Sequence, residues 1–456
     1  LFRSRQQLRA DALAAWQAGL DAVRPEVCVA RALERRPDID PASRETLVVA
    51  VGKAAAGMLR GLCAARGLDA ASPSGVARAI VLLPDGAEAD GLPSTAIVLR
   101  GGHPHPSAGG MTATLRILDE AARLGAGGRL LVLLSGGASA LLEAPAPGLS
   151  FEDVAASHRA LVASGLPIAS INLVRGCLSA VKAGRLAERA WPAAVTTLAI
   201  SDVEGDDPAV IGSGPTVVPT RSRRELCCAA LDVVTRAAVA LPAGVIDFLE
   251  RSAEESPDGE RAEDFTVIAS VAAAVGAARG ELRSRGYCVD APPGGDEYLR
   301  GDTSSAVARI LSLASDVAAS AADGGSTAAS EGGTALHSPA ARGVVVGGET
   351  TVAVSTSCSG RGGRNLHLAA YVALAIAGRD GVAVVAAGTD GGDGSSRAAG
   401  AVVDGGTAAR AAAAGLALTA ALERFDTEPA LEAAGDLVVT GPTGTNVGDL
   451  VVVARG

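Results

Sequence analysis

Aromatic residues are almost missing: Phe, Trp and Tyr make up 2% of the 456 residues. Binding single-stranded nucleic acid needs rings for base stacking and a cationic groove. The charge balance offers no such groove either, with 40 Lys and Arg against 50 Asp and Glu, a formal net charge of −10. A nucleic-acid partner is therefore not expected. No apolar run approaches the roughly 20 residues of a membrane helix, so no membrane partner is expected. The seven cysteines, at 28, 63, 177, 227, 228, 288 and 358, form no C-x-x-C pair. That argues against a disulfide framework or a thiolate zinc site and favours a reducing compartment. The five histidines lack metal-ligand spacing.

Apolar residues nevertheless make up 48% of the chain, mostly Ala, Val and Leu. Small side chains let helices lie close to sheets, which suits layered α/β architecture. Apolar runs at 47–51, 79–83, 96–99, 130–134 and 195–200 are separated by helical or loop segments, the doubly wound pattern. A polar stretch at 251–264 predicts a boundary between an N-terminal domain, 1–255, and a C-terminal domain, 256–456. The second half restarts with the apolar run "FTVIAS" and continues with "VVVGGETTVAV", "GVAVVAAG" and "LVVTGPTG". A low-complexity stretch at about 318–341 reads as a surface insertion. Arg3, Arg5 and Arg9 crowd the first residues, with Asp11 and Asp21 soon after. That pattern fits the remnant of a targeting peptide or an amphipathic helix. A cytoplasmic location is expected, with a mitochondrial or other organellar one as the alternative.

In "LVVAVGKAAAGM" an apolar run meets Gly52 and then Lys53 before a small-residue helix. Neither glycine fingerprint fits: the dinucleotide motif needs a glycine at Ala54, and the P-loop needs one at Leu47. A cation at the positive end of a helix is unfavourable unless an anion is near, so Lys53 marks a candidate phosphate or carboxylate site. "LLVLLSGGASALL" places Ser135, Gly136 and Gly137 at a second strand end, where backbone N–H groups can cradle oxygen-rich ligands. A hydrolase elbow fails there, because Leu141 stands where G-x-S-x-G needs its second glycine.

"SDVEGDDPAVIGSGPT" gathers Asp202, Glu204, Asp206 and Asp207 before a turn that includes Gly214. Asp202, directly past a strand, is placed to bind magnesium or orient a hydroxyl. Arg175 and Lys182 share one helical face in "INLVRGCLSAVKAGRLAERA", and His103 sits in the proline-stiffened "GGHPHPSAGG". Further along, Arg361 and Arg364 lead into a helix, again misplaced for its dipole unless an anion is met. "AAGTDGGDGSS" carries Asp390 and Asp393, and "TGPTGTNVGDL" carries Thr443 and Asn446. Cations and carboxylates in both halves form an inventory for phosphoryl transfer.

These segments, in this order, resemble the glycerate 2-kinase family, the class II glycerate kinases with a MOFRL-type C-terminal domain. The resemblance spans nearly the whole chain apart from the insertion. It implies a Rossmann-like N-terminal domain, a smaller α/β C-terminal domain and an active site in the cleft between them. It also implies that Lys53 and Arg364 are catalytic; Asp202 is expected to be catalytic from its place at a strand's end. Gly52, His103, Ser135, Gly136, Gly137, Arg175, Lys182, Gly214, Asp390, Asp393, Thr443 and Asn446 are expected to bind substrate or nucleotide. Asp202, Asp390 and Asp393 are the candidate metal ligands. The implied partners are D-glycerate and ATP, with Mg2+ or another divalent cation. A monomer and a homodimer both remain open. The chain departs from the family pattern at Ala138, Gly212, Leu366 and His367. An NAD(P)H-dependent hydroxypyruvate reductase and a non-catalytic binder of small phosphorylated acids are the rival readings.

Overall fold

A computed structural model describes residues 3–68, 76–252, 264–292, 298–319, 341–354 and 360–456. The chain divides into two compact units, Pro25–Ala269 and a second made of Leu1–Arg24 with Ser270–Gly456.

Unit Pro25–Ala269 is built on six parallel strands: β1 (Thr46–Val51), β2 (Ala79–Pro84), β3 (Ala96–Gly101), β4 (Arg129–Leu134), β5 (Ala194–Ile200) and β6 (Asp264–Ala269). Their order is β3-β2-β1-β4-β5-β6, so it reverses between β1 and β4. Every residue of β1 is buried, the signature of a strand covered on both faces. On one face Leu47, Val49, Ile80, Val132 and Leu134 pack against Ile117, Leu118 and Ala121 of the helix Ala108–Ala122. In open parallel sheets the crevice at such a reversal, beyond the carboxyl ends of the strands, is where ligands bind.

The second unit holds a mixed sheet ordered β12-β11-β10-β13-β9-β7, from β7 (Cys288–Val289), β9 (Arg342–Gly348), β10 (Val382–Gly388), β11 (Gly400–Asp404), β12 (Leu437–Val438) and β13 (Asp449–Arg455), with β8 (Tyr298–Leu299) pairing β9. Its centre is antiparallel: β10 pairs β11 and β13, and β13 pairs β9. The helix Arg364–Ala375 packs one face through Leu366, Leu368, Ala369 and Val372. On the other face Leu8, Ala12, Trp16 and Leu20 of the helix Arg5–Ala22 meet Val385, Leu450 and Val452.

This division differs from the expected 1–255 and 256–456 in two respects. "FTVIA" does not open the second half but forms β6, pairing β5 in the parallel sheet. The first helix joins the later residues because its apolar stripe completes their core. Ion pairs fasten it there: Arg3 and Arg285 grip its buried Asp11 at 2.7 and 2.9 Å, and its Arg9 bridges Asp404 and Asp436 at 2.7 Å each. Burial would raise the Asp11 carboxyl, but bonds from Tyr287, Arg285 and Gln7 outweigh it and hold it below its ordinary value. Residues 320–340 of the expected insertion lie outside the described residues, while 318 and 319 end the helix Thr303–Ala319. No helix among the described residues is long and apolar enough to cross a membrane.

Candidate active site

The switch between β1 and β4 brings two strand-end loops together. Gly52 follows β1 at φ +116°, a conformation that strains any L side chain, and a Cβ there would collide with the Ser135 hydroxyl and carbonyl. The loops are then zipped. The Lys53 N–H donates to the Gly136 carbonyl at 2.9 Å, and the Ala54 N–H donates to Ser135 Oγ at 3.0 Å. Ser135 Oγ in turn donates to the Val51 carbonyl at 3.1 Å. A Cβ built on Gly137 would lie 3.2 Å from His103 Nε2 and 3.5 Å from Lys53 Cγ. Lys53, His103 and the Ser135–Gly137 loop therefore meet at one point, from the ends of β1, β3 and β4.

Asp202 lies two residues beyond β5 and is half-buried. The other three carboxylates of its loop spread apart: Glu204 and Asp206 occupy a short 3₁₀ turn, and Asp207 accepts from the Ala209 N–H at 2.9 Å. The Gly212–Gly214 turn is tied inward, with Ser213 Oγ 2.9 Å from Ser139 Oγ and the Gly214 carbonyl accepting from the Gly184 N–H at 2.8 Å.

One expected ligand contact, Lys182, is placed differently. Lys182 is 0% exposed, its ammonium paired with Glu143, itself 1% exposed. Burial lowers the Lys182 pKa, with Glu143 opposing. In this structure Lys182 is a buried ion-pair partner rather than an open cation, because the helix Ile168–Leu178 ends four residues earlier and the shared face with Arg175 is lost. Arg175 is half-buried with its Nε lacking a hydrogen-bond partner, and burial lowers its pKa.

In the other unit, Arg364 opens its helix and clasps Asp449 at the start of β13, with Nε to Oδ2 at 2.6 Å and an NH2 to Oδ1 at 3.0 Å. Its NH1 reaches Glu349 at 2.6 Å. Burial opposes its charge, but the Asp449 bond and the neighbouring carboxylates outweigh it and hold the guanidinium above its ordinary pKa. Asp393 faces inward, accepting the Asn365 N–H at 3.0 Å and the Leu366 N–H at 2.8 Å. Burial pushes its pKa up to about 7, against those two bonds and with the Asp449 charge adding to the rise. Asp393 thus caps the Arg364–Ala375 helix, and its expected role as an open metal ligand is not what the structure shows. Asp390 is half-buried, its Oδ1 accepting from the Gly392 N–H at 3.2 Å and its carbonyl from the Thr443 N–H at 3.2 Å. Thr443 Oγ1 donates to the Thr389 carbonyl at 2.5 Å, and Asn446 Oδ1 accepts from the Gly448 N–H at 3.3 Å. Asp390, Thr443 and Asn446 therefore share one loop cluster.

Glu143, Glu349 and Asp449 are not among the residues that the sequence marks. Asp449 alone carried a signal, an acid opening an apolar run. Among the described residues no group of three or more His, Cys, Asp or Glu is placed to hold a metal ion. Magnesium that arrives with a polyphosphate needs only one or two protein carboxylates.

Comparison with known proteins adds identity to this geometry. Residues 11–250 match DUF4147, a domain of unknown function, and residues 342–449 match the MOFRL family. A curated protein of Agrobacterium vitis bearing the name hydroxypyruvate reductase is 34% identical over 82% of this chain and 78% of its own length. The D-glycerate 2-kinase of Thermotoga maritima is 32% identical over 64% of each chain. A crystal structure of glycerate kinase from Thermotoga maritima superposes with a TM-score of 0.83 at 32% identity, covering 99% of this chain and 100% of that one. With both domain families in order and that fold matched over its full length, the chain belongs to the glycerate 2-kinase family.

Proposed function

We propose that the chain transfers the γ-phosphoryl group of ATP to the 2-hydroxyl of D-glycerate, forming 2-phosphoglycerate and ADP. The observation that carries this reading is the convergence of Lys53, His103 and the glycine loop at the β1/β4 switch, in a chain of this family. The bond formed joins the glycerate O2 to phosphorus; the bond broken releases ADP. Lys53 neutralises charge on the transferring group, which supplies most of the catalysis in phosphoryl transfer. Asp202 orients the acceptor hydroxyl and receives its proton. A divalent cation, when bound, would neutralise the polyphosphate, and Asp390 is suited to hold it. Arg364 is the candidate catalytic cation of its own unit.

We also read the Pro25–Ala269 unit as Rossmann-like, a reading that its strand order 3-2-1-4-5-6 supports. The name of the Agrobacterium relative favours a second reading, NAD(P)H-dependent reduction of hydroxypyruvate. Against it, Lys53 and Ala54 occupy the turn where the dinucleotide fingerprint requires a second glycine. One experiment separates the two: product identification after incubation with D-glycerate and Mg-ATP, and in parallel with hydroxypyruvate and NADH. The expected product is 2-phosphoglycerate; NADH oxidation without phosphorylation, or the 3-phospho isomer alone, overturns the assignment.

A further inference from the structure

The buried ion pair of Glu143 and Lys182 lies in a closed circuit of contacts. Glu143 follows the short helix Ala138–Leu141, which begins at the Gly136–Gly137 loop. Its carboxylate pairs with Lys182. The next two residues, Ala183 and Gly184, both at positive φ, donate their N–H groups to the carbonyls of Ser213 and Gly214 at 3.1 and 2.8 Å. Ser213 returns to the starting helix through Ser139, 2.9 Å away. A short antiparallel pairing supports the circuit, with the Ala180 N–H donating to the Ala144 carbonyl at 2.7 Å and the Ala146 N–H to that of Leu178 at 2.8 Å.

Such a pair is a poor device for stability. Removing both charges from water costs several kcal/mol each, and well-packed apolar replacements are often as stable or more so. What an ion pair adds is a defined register. We propose that Glu143 and Lys182 are positioning residues, which set the Gly212–Gly214 turn against the Ser135–Gly137 loop and so fix the strand-end geometry of the site. The inference rests on the proposed kinase reading for its kinetic arm only.

The test uses the full chain and the double variant E143L/K182M, since K182M alone strands a buried carboxylate. The expected result is a melting temperature within a few degrees of the parent. Alongside it, amide exchange at Ala183 and Gly184 rises about tenfold, and kcat falls about tenfold or more, because small misplacements in a site are expensive in rate. E143Q/K182Q, which keeps polar groups and volume, is read in the same way should the apolar pair not fold. Parent-like exchange and kcat in a folded double variant overturn the proposal, as does collapse of both variants, which makes the pair a stability element. If the parent protein phosphorylates no glycerate, the kinase reading fails while the exchange measurement still decides the positioning role.

Discussion

Arg364 and Asp449 are joined side by side, Nε to Oδ2 at 2.6 Å and an NH2 to Oδ1 at 3.0 Å, with the carboxylate nearly fully buried and the guanidinium side chain 32% exposed. The arginine that opens a helix against the dipole thus meets an anion of its own chain. The dipole is answered separately by Asp393, whose oxygens take two N–H groups of the first turn. Arg364 is held in orientation with part of its surface still facing solvent.

That arrangement separates the two expected catalytic cations. Arg364→Met should lower turnover at least about a hundredfold and also cost about 3 kcal/mol of stability, the low end for stranding a buried charge because the arginine is partly exposed. Lys53→Met should lower turnover similarly while shifting Tm by no more than a degree or two. Paired Tm and steady-state measurements, made well below both transitions, decide this. Near-parent turnover in Lys53→Met returns that residue to an ordinary surface cation.

The two aspartates of the "GTDGGDG" loop should diverge. Asp393→Ala removes a helix cap and should cost about 1–2 kcal/mol of stability without changing the magnesium concentration for half-maximal rate. Asp390→Asn should raise that concentration and leave stability nearly unchanged. Magnesium titrations beside denaturant curves test the contrast; a shifted titration in Asp393→Ala would show that its carboxylate reaches the cation after all.

His158 supplies a pH signature. It is 3% exposed, with Nε2 3.3 Å from Glu143 Oε2, and burial together with the charges of Lys182 and Arg175 drives its pKa down to about 2. Unfolded, it protonates near pH 6.5, so between pH 6.5 and 2 unfolding takes up one proton and stability falls as pH falls. The full contribution is about 1.4 kcal/mol per pH unit over that window. His158→Gln should flatten the stability curve between pH 6.5 and 4.5 by that slope. Parallel curves for the two proteins would show that the imidazole is charged in the fold.

The strands β1 to β5 were legible almost to the residue, since runs such as Leu47–Val51 and Leu130–Leu134 are buried on both faces and need no alternation. The loop chemistry at Gly52, Lys53 and Ser135–Gly137 was legible for a related reason: an apolar run that stops at glycine announces a strand end. "FTVIA" looked the same as these, yet nothing in a short apolar run says which sheet it joins. β13 follows a glycine-rich loop with no break in the pattern to mark it, although it lies at the centre of the second sheet.

Composition, strand spacing and the order of motifs were thus determined by the sequence itself, because periodicity and glycine placement are local properties of the chain. The fates of the charges were not. Lys182 is neutralised by Glu143 from 39 positions away, Arg364 by Asp449 from 85, and Arg9 by Asp436 from 427. A charge shows its type in sequence but not its partner. Only the folded chain, by taking that charge out of water, decides whether it faces a substrate or is held by another residue of the same molecule.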